Sequence, residues 1–430
     1  MRLAELLVNL PDVAAAVGDP QVDVTQITAD SRQVIPGACF VAYQGLGVDG
    51  HRFIPDAIAR GAAAIVGEHA LADLPVTYAR VADGRAALAW LSAAWYGNPS
   101  RSMALVGITG TDGKTTTANL LFNIVKAAQR RVGLISTVHA VIGEQIYHTG
   151  LHTTTPDAPD VQRYLAQMRD ADTEIAVLEA TSHGLAQHRV TGCAFDVAVV
   201  TNITHEHLDF HGSYEAYRDA KALLFRSLSQ APGASAKSFD WLAADAGLPH
   251  LPKTAVLNRD DSSYEYLARI PAERAITYGA EEPRSRGAEG AFSATALHLT
   301  AVDIRHTPAG TEFDVHFSPC LRVPVSPRHI ITPLIGVFNV SNVLAAVGAA
   351  LALGIGPAAI AAGVGATTSI AGRMERIAGG QDFTAIVDFA HTPNALARAL
   401  EAVRPLARPG RAEHDNDPAR PGCAIARNAV

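Results

Sequence analysis

The sequence predicts an α/β protein built around a doubly wound parallel sheet, and three observations carry that reading. Strand-like and helix-like segments alternate after Arg101, a glycine-rich phosphate loop joins one such strand to one such helix, and the first hundred residues carry a smaller α/β pattern of their own. At 430 residues the chain is long enough for several domains with ample core. Its composition, 48% hydrophobic and 18% charged, is that of an ordinary soluble protein. A net charge of −7 argues against broad binding to nucleic acid or to anionic membranes.

In chain order, residues 28–34 and 38–42 read as short strands around the turn Pro36-Gly37. Phe53 to Arg60 is helix-like and stops at Gly61, and Ala62 to Val66 reads as a buried strand. The run Tyr96-Gly97-Asn98-Pro99-Ser100 carries turn signals and reads as a linker. Beyond it come strands at 103–109, 132–137, 175–180 and 195–201, with helices at 115–129 and 158–170. Residues 232–327 are less regular, although Ala255 to Asn258 still suits a strand. From Ile330 to Gly372 there is no Asp, Glu, Lys or Arg. The uninterrupted stretch Val343 to Gly356 is shorter than the roughly 20 residues that span a bilayer, so a buried alanine-rich helix is expected. A new unit begins near Gly372, with a strand at 383–388 and a helix from Pro393 to Val403. Arg404 to Val430 has almost no large apolar residues and reads as a disordered tail. The four cysteines, Cys39, Cys193, Cys320 and Cys423, have neither metal-ligand spacing nor a disulfide pattern. Residues 1–11 lack the features of a signal peptide.

The chemistry centres on Gly110-Thr111-Asp112-Gly113-Lys114-Thr115-Thr116. Two glycines let the backbone turn its N–H groups toward phosphate oxygens, the following helix adds its positive end, Lys114 adds a point charge, and Thr115 offers a hydroxyl to Mg²⁺. A strict Walker loop has glycine where this chain has Ile108, so the loop is a variant. Glu179 ends the apolar run 175–178 and is suited to hold a nucleotide-bound Mg²⁺ from a strand's carboxyl end. His205, Glu206, His207, Asp209 and His211 follow another buried strand; without a nearby cysteine, magnesium is expected rather than zinc, with His207 as the ligand. The hydroxyls of 153–155 suit a phosphate or a sugar, and equally a plain loop. Lys221, on an amphipathic helix, reads by itself as a surface lysine.

Taken together, the ordered motifs resemble the Mur ligase family, on its UDP-N-acetylmuramoyl-tripeptide synthetase (MurE) branch. The likeness runs from about residue 25 to 411. It rests on Asp30-Ser31-Arg32, Asp49-Gly50-His51, the loop 110–116, Thr154-Thr155-Pro156 and Ser182-His183-Gly184-Leu185. It continues through 207–212, Ala220-Lys221-Ala222, Phe338-Asn339-Val340, Gly372-Arg373-Met374-Glu375 and 388–393. The resemblance implies three domains: an N-terminal UDP-sugar-binding domain (1–100), a central ATP-binding domain (101–371) and a C-terminal Rossmann-like domain beginning at 372–411.

It also implies a reaction. ATP would activate the free carboxylate of UDP-N-acetylmuramoyl-L-alanyl-D-glutamate, and the amine of meso-diaminopimelate or L-lysine would attack the acyl phosphate. By the same likeness ATP is held by Gly110, Thr111, Asp112, Gly113, Lys114, Thr115, Thr116, Asn339 and Asp388. Thr115 and Glu179 would take one Mg²⁺, and His207 with a carbamylated Lys221 a second; Lys114, Lys221 and His207 carry the catalysis. Ser31, Thr154, Thr155, Thr181, Gln187 and Arg189 would grip the muramyl-dipeptide substrate, and Arg373 sits at the hinge before the third domain. Glu206 stands where aspartate is common, Phe210 and Phe389 where tyrosine is common, and Thr181 where serine is. A cytoplasmic monomer is expected.

The resemblance ends early. Residues 412–430 match nothing in the family pattern, which suggests a truncated or frameshifted third domain and an inactive or badly impaired chain. Two other readings remain at this point: a different ligase of the wider family, such as a folylpolyglutamate synthase, and a homologue that only binds nucleotide or UDP-sugar.

Overall fold

The computed structural model describes residues 1–71, 73–147, 154–230, 237–242, 249–280, 296–307, 310–317, 329–377, 379–381 and 383–404. The tail expected at 412–430 lies outside them, as do residues 405–411 and the first two residues of the 152–156 loop.

Three sheets organise the described residues. The first has five strands in the order Val13–Val17, Thr77–Val81, Ala64–Gly67, Ala38–Val41, Gln26–Thr28, and only its first pair is antiparallel. Alternate residues face opposite sides: Cys39 and Val41 enter one core with Leu88 and Leu91 of the helix Gly84–Trp95, while Phe40 and Ala42 enter another with Ile54 and Ala57. The segment 28–34 is a strand only to Thr28; Ser31–Gln33 is a 3-10 turn capped by Asp30, whose carboxylate accepts the Arg32 N–H. A short capped turn costs fewer unpaired backbone groups than a strand with no neighbour.

The central sheet has eleven strands. Seven run parallel, in the order Val132–Ile135, Ile175–Glu179, Ala104–Thr109, Val197–Val200, Thr254–Asn258, Arg274–Gly279, Leu297–Thr307. Antiparallel strands finish both edges. The sheet therefore takes in strands from the 232–327 stretch: Thr254–Asn258 and Arg274–Gly279 are buried on both faces and show no alternation, whereas Gly310–Phe317 alternates buried and more exposed residues as an edge-side strand. Val106 and Ile108 face the helices Lys114–Ala127, Val337–Ala352 and Pro357–Ala366, whereas Leu105 faces Ala158–Asp170 and Tyr214–Gln230. The charge-free run becomes two helices rather than one: Val337–Ala352, packed on the sheet beside Lys114–Ala127, ends before Gly354, and Pro357 starts a second, Pro357–Ala366. Among the described residues no helix is long and apolar enough to cross a membrane.

After Gly372 a two-stranded antiparallel sheet pairs Glu375–Ile377 with Ala385–Val387, followed by the helix Pro393–Val403. Thr392 caps that helix by accepting the Ala395 N–H. Cys39 and Cys193 are buried free thiols, and burial pushes each up to about 12; Cys320 and Cys423 lie outside the described residues.

Candidate active site

The phosphate loop leaves the carboxyl end of Ala104–Thr109 at the middle of the parallel sheet, where ligands of doubly wound folds collect. Both glycines are required by geometry. Gly110 has φ +151° and a Cβ there would lie 1.8 Å from Thr201 Oγ1. Gly113 has φ +83° and its Cβ would lie 2.1 Å from Asn342 Oδ1. Asn202 pins the turn: its side-chain oxygen accepts the Asp112 N–H at 3.0 Å and its backbone oxygen accepts the Thr111 N–H at 2.7 Å. The Lys114 ammonium bends back over the loop and donates to the carbonyls of Gly110 (3.0 Å) and Thr111 (2.7 Å). Burial pulls its pKa down, while Glu179 and Glu206 oppose that fall.

Glu179 is fully buried at the end of its strand. Thr115 and Thr137 donate their hydroxyls to its Oε2 at 3.0 and 3.1 Å, and the Thr137 N–H reaches Oε1 at 3.3 Å. Burial raises the carboxyl's pKa, and Lys114 and Arg373 work against that. Arg373, from beyond the central sheet, reaches Thr115 Oγ1 at 3.4 Å with its guanidinium over the Phe389 ring. This set of hard oxygen donors around a buried carboxylate, beside a phosphate loop, fits Mg²⁺.

Lys221 is no surface lysine. It is 2% exposed, donates to the Gly110 carbonyl at 2.7 Å and lies 4.5 Å from the centre of the Tyr217 ring. Burial, and then the Lys114 charge, hold its amine well below the ordinary lysine range. The sequence carried the signal: Tyr217, Lys221, Leu224 and Leu228 recur at helical spacing on the apolar face of Tyr214–Gln230. His207 has φ +53° and is half exposed, with Nε2 3.7 Å from Glu206 and its ring edge-on to His183.

The residues expected to grip a substrate fall in two places. Ser31 is half-buried in the 3-10 turn of the first unit. Thr155, Thr181, Gln187 and Arg189 gather near Glu179 and hydrogen-bond one another, with Thr154 half-buried next to Thr155 in the chain. The Thr155 hydroxyl donates to the Glu179 carbonyl (3.0 Å) and accepts the Thr181 N–H (3.0 Å). Arg189 donates to the Thr155 carbonyl at 2.8 Å and to Gln187 at 3.0 Å. Asn339 and Asp388 line a cavity of about 790 Å³ that opens from the loop, together with Asp112, Gly113, Asn202 and His391. Asn339 itself is buried and donates to the Ile335 carbonyl, so it shapes the wall. Asn202, Asn342, Thr137 and Tyr217 belong to the site and were not singled out by sequence. The one legible hint was a pair of asparagines, 339 and 342, in an otherwise apolar helix.

This fold and this site define a nucleotide-dependent enzyme of the phosphate-loop class. Residues 108–350 match the family description "Mur ligase middle domain", and residues 23–96 match "Mur ligase family, catalytic domain". A protein of Geobacillus kaustophilus (strain HTA426) named UDP-N-acetylmuramoyl-L-alanyl-D-glutamate--2,6-diaminopimelate ligase is 40% identical over 409 residues, which are 95% of this chain and 76% of that protein. A UDP-N-acetylmuramyl-tripeptide synthetase of Roseiflexus sp. (strain RS-1) is 41% identical over 414 residues, covering 94% and 75%. A solved UDP-N-acetylmuramoyl-L-alanyl-D-glutamate--2,6-diaminopimelate ligase superposes with a TM-score of 0.71 at 26% identity, over 94% of this chain and 74% of that one. The chain belongs to the Mur ligase family, whose members are ATP-dependent ligases that form amide bonds.

Proposed function

We propose that this chain joins an amine of a diamino acid to the free carboxylate of UDP-N-acetylmuramoyl-L-alanyl-D-glutamate, with ATP converted to ADP and phosphate. The observation that carries the reading is the buried Glu179–Thr115 pair beside the phosphate loop, in a chain 40% identical over 95% of its length to a relative named for that reaction. Since that name specifies 2,6-diaminopimelate, we take it as the amine donor ahead of L-lysine.

In this reading residues 1–100 recognise the UDP-sugar through Ser31, residues 101–371 bind ATP, and the unit from 372 closes over the nucleotide. Lys114 turns from the Gly110 and Thr111 carbonyls to the phosphates of ATP, joined by the backbone N–H groups of 110–116. Thr115 and Glu179 would hold one Mg²⁺, and His207 with carbamylated Lys221 another. Bound there, Mg²⁺ supplies positive charge to the phosphoryl oxygens. Arg373 adds a fixed cation on the same side. The substrate carboxylate attacks the γ-phosphorus, ADP leaves, and the amine then displaces phosphate from the acyl phosphate. Thr154, Thr155, Thr181, Gln187 and Arg189 hold the dipeptide so that its carboxylate lies in line with the phosphorus. A neutral Lys221 amine is competent to add CO₂, and the carbamate keeps an N–H for the Gly110 carbonyl. The reaction belongs to the cytoplasm, and we expect a monomer.

The test is incubation of the purified chain with ATP, Mg²⁺, the UDP-muramyl-dipeptide and either diamino acid. ADP release that needs both acceptor substrates, with a product heavier by the diamino acid less water, supports the reading. Nucleotide binding without such release would leave a binding protein instead.

A further inference from the structure

Tyr217 is among the largest fully buried side chains of the described residues, and its ring meets Lys221, His207 and His211. Its hydroxyl donates to Glu206 Oε2 at 3.2 Å and lies 2.9 Å from Thr111 Oγ1. The Thr111 oxygen in turn accepts the Thr204 N–H at 2.9 Å. The directions follow. Tyr217 donates its one hydroxyl proton to the Glu206 carboxylate, so Thr111 donates to Tyr217 while accepting from Thr204. Each hydroxyl then gives one hydrogen bond and receives one, in a chain that ends on a carboxylate. That carboxylate stands 3.7 Å from His207 and 3.7 Å from His391, which comes from the unit beyond the central sheet.

We infer that Tyr217 is a positioning residue, whose hydroxyl fixes the first turn of the phosphate loop through Thr111 and aims Glu206 at the two histidines. The side chain is fully buried and is not among the residues that line the cavity, so it acts through its hydrogen bonds and not on the ligand. Without its oxygen Thr111 loses its acceptor at 2.9 Å, and the nearest alternative is the Thr204 carbonyl at 3.4 Å. Glu206 loses a donor while still largely enclosed.

Tyr217→Phe tests this, since it removes one atom and keeps the ring against Lys221. The first readout is amide hydrogen exchange in nucleotide-free protein, which does not depend on the proposed reaction. Exchange at Thr111, Asp112 and Thr204 is expected to rise at least tenfold while the strand Ala104–Thr109 stays protected. Unchanged loop exchange overturns the inference, and so does an equal rise throughout the strand, which would mean general loosening. The second readout, which rests on the nucleotide reading above, is ADP affinity, expected to weaken about tenfold, or 1.4 kcal/mol. Thr111→Val with Tyr217→Phe should then bind ADP no worse than Thr111→Val alone, and multiplied losses would contradict action through Thr111. If the loop loosens but unaltered protein binds no ADP, the positioning role stands and the nucleotide reading falls.

Discussion

Gly113→Ala should cripple nucleotide binding through two separable strains. The first is backbone: φ at Gly113 is +83°, a left-handed conformation that costs an L-residue about 1–2 kcal/mol. The second is contact, because the new methyl would stand 2.1 Å from Asn342 Oδ1 and 3.0 Å from its Cγ. Asn342 is buried and donates to Asn339 at 2.9 Å, so pushing it aside breaks a buried hydrogen bond worth about 1–3 kcal/mol. Together the strains come to about 2–5 kcal/mol, placed at the residue that caps the loop's helix. If the loop relaxes by distorting, the cost appears in binding, and about 2 kcal/mol is already roughly thirtyfold in the ADP dissociation constant. Calorimetric titration with ADP, alongside the urea midpoint of the protein, measures both shares. Adding Asn342→Ala should recover the contact share and leave the backbone share, a positive coupling between the two sites. ADP affinity within twofold of the unaltered protein and an unmoved urea midpoint would refute the account.

Further outcomes follow from the same geometry. Lys114→Met should weaken ADP binding about 10–150-fold, the worth of a charge-assisted hydrogen bond, yet leave the melting temperature nearly unmoved because it also removes a buried cation. Glu179→Gln should raise the Mg²⁺ concentration needed for half-maximal ADP binding at least tenfold, read by titrating Mg²⁺ at fixed ADP. Asp83, which caps Gly84–Trp95, meets His188 of the central unit at 3.3 Å, and that hydrogen bond draws its carboxyl down to about 2 from 3.8. A depressed carboxyl contributes stability above its unfolded value and loses it as the pH falls through about 4 to about 2. The unscreened equivalent is about 2.4 kcal/mol, but the side chain is 49% exposed, which reduces it to below about 1 kcal/mol. The stability difference between the unaltered protein and Asp83→Asn should therefore be small at pH 6 and smaller still at pH 2, by urea unfolding at each pH.

Much of this site was legible in the chain because its parts are local. The order of strand, glycine turn, Lys114 and helix is written in one unbroken stretch from Ala104 to Ala127, and each step has its own backbone reason. Glu179 could be found because a polar residue ending a buried strand is conspicuous, and the helix Pro393–Val403 because Thr392 and Pro393 announce its start. The strand Arg274–Gly279 was harder, since burial on both faces erases the alternation by which a strand is recognised.

What the sequence determined by itself was therefore the doubly wound class, the phosphate loop and the charges that loop needs, all set by periodicity and turn chemistry over short spans. Tertiary structure alone decided which distant groups meet there. It buried Lys221 under Gly110, set Asn342 against Gly113, and brought Thr111, Tyr217, Glu206 and His391 together although up to 280 residues separate them. The physical reason is that a sheet orders its strands by packing and crossover geometry, so residues far apart along the chain become neighbours at the strands' carboxyl ends.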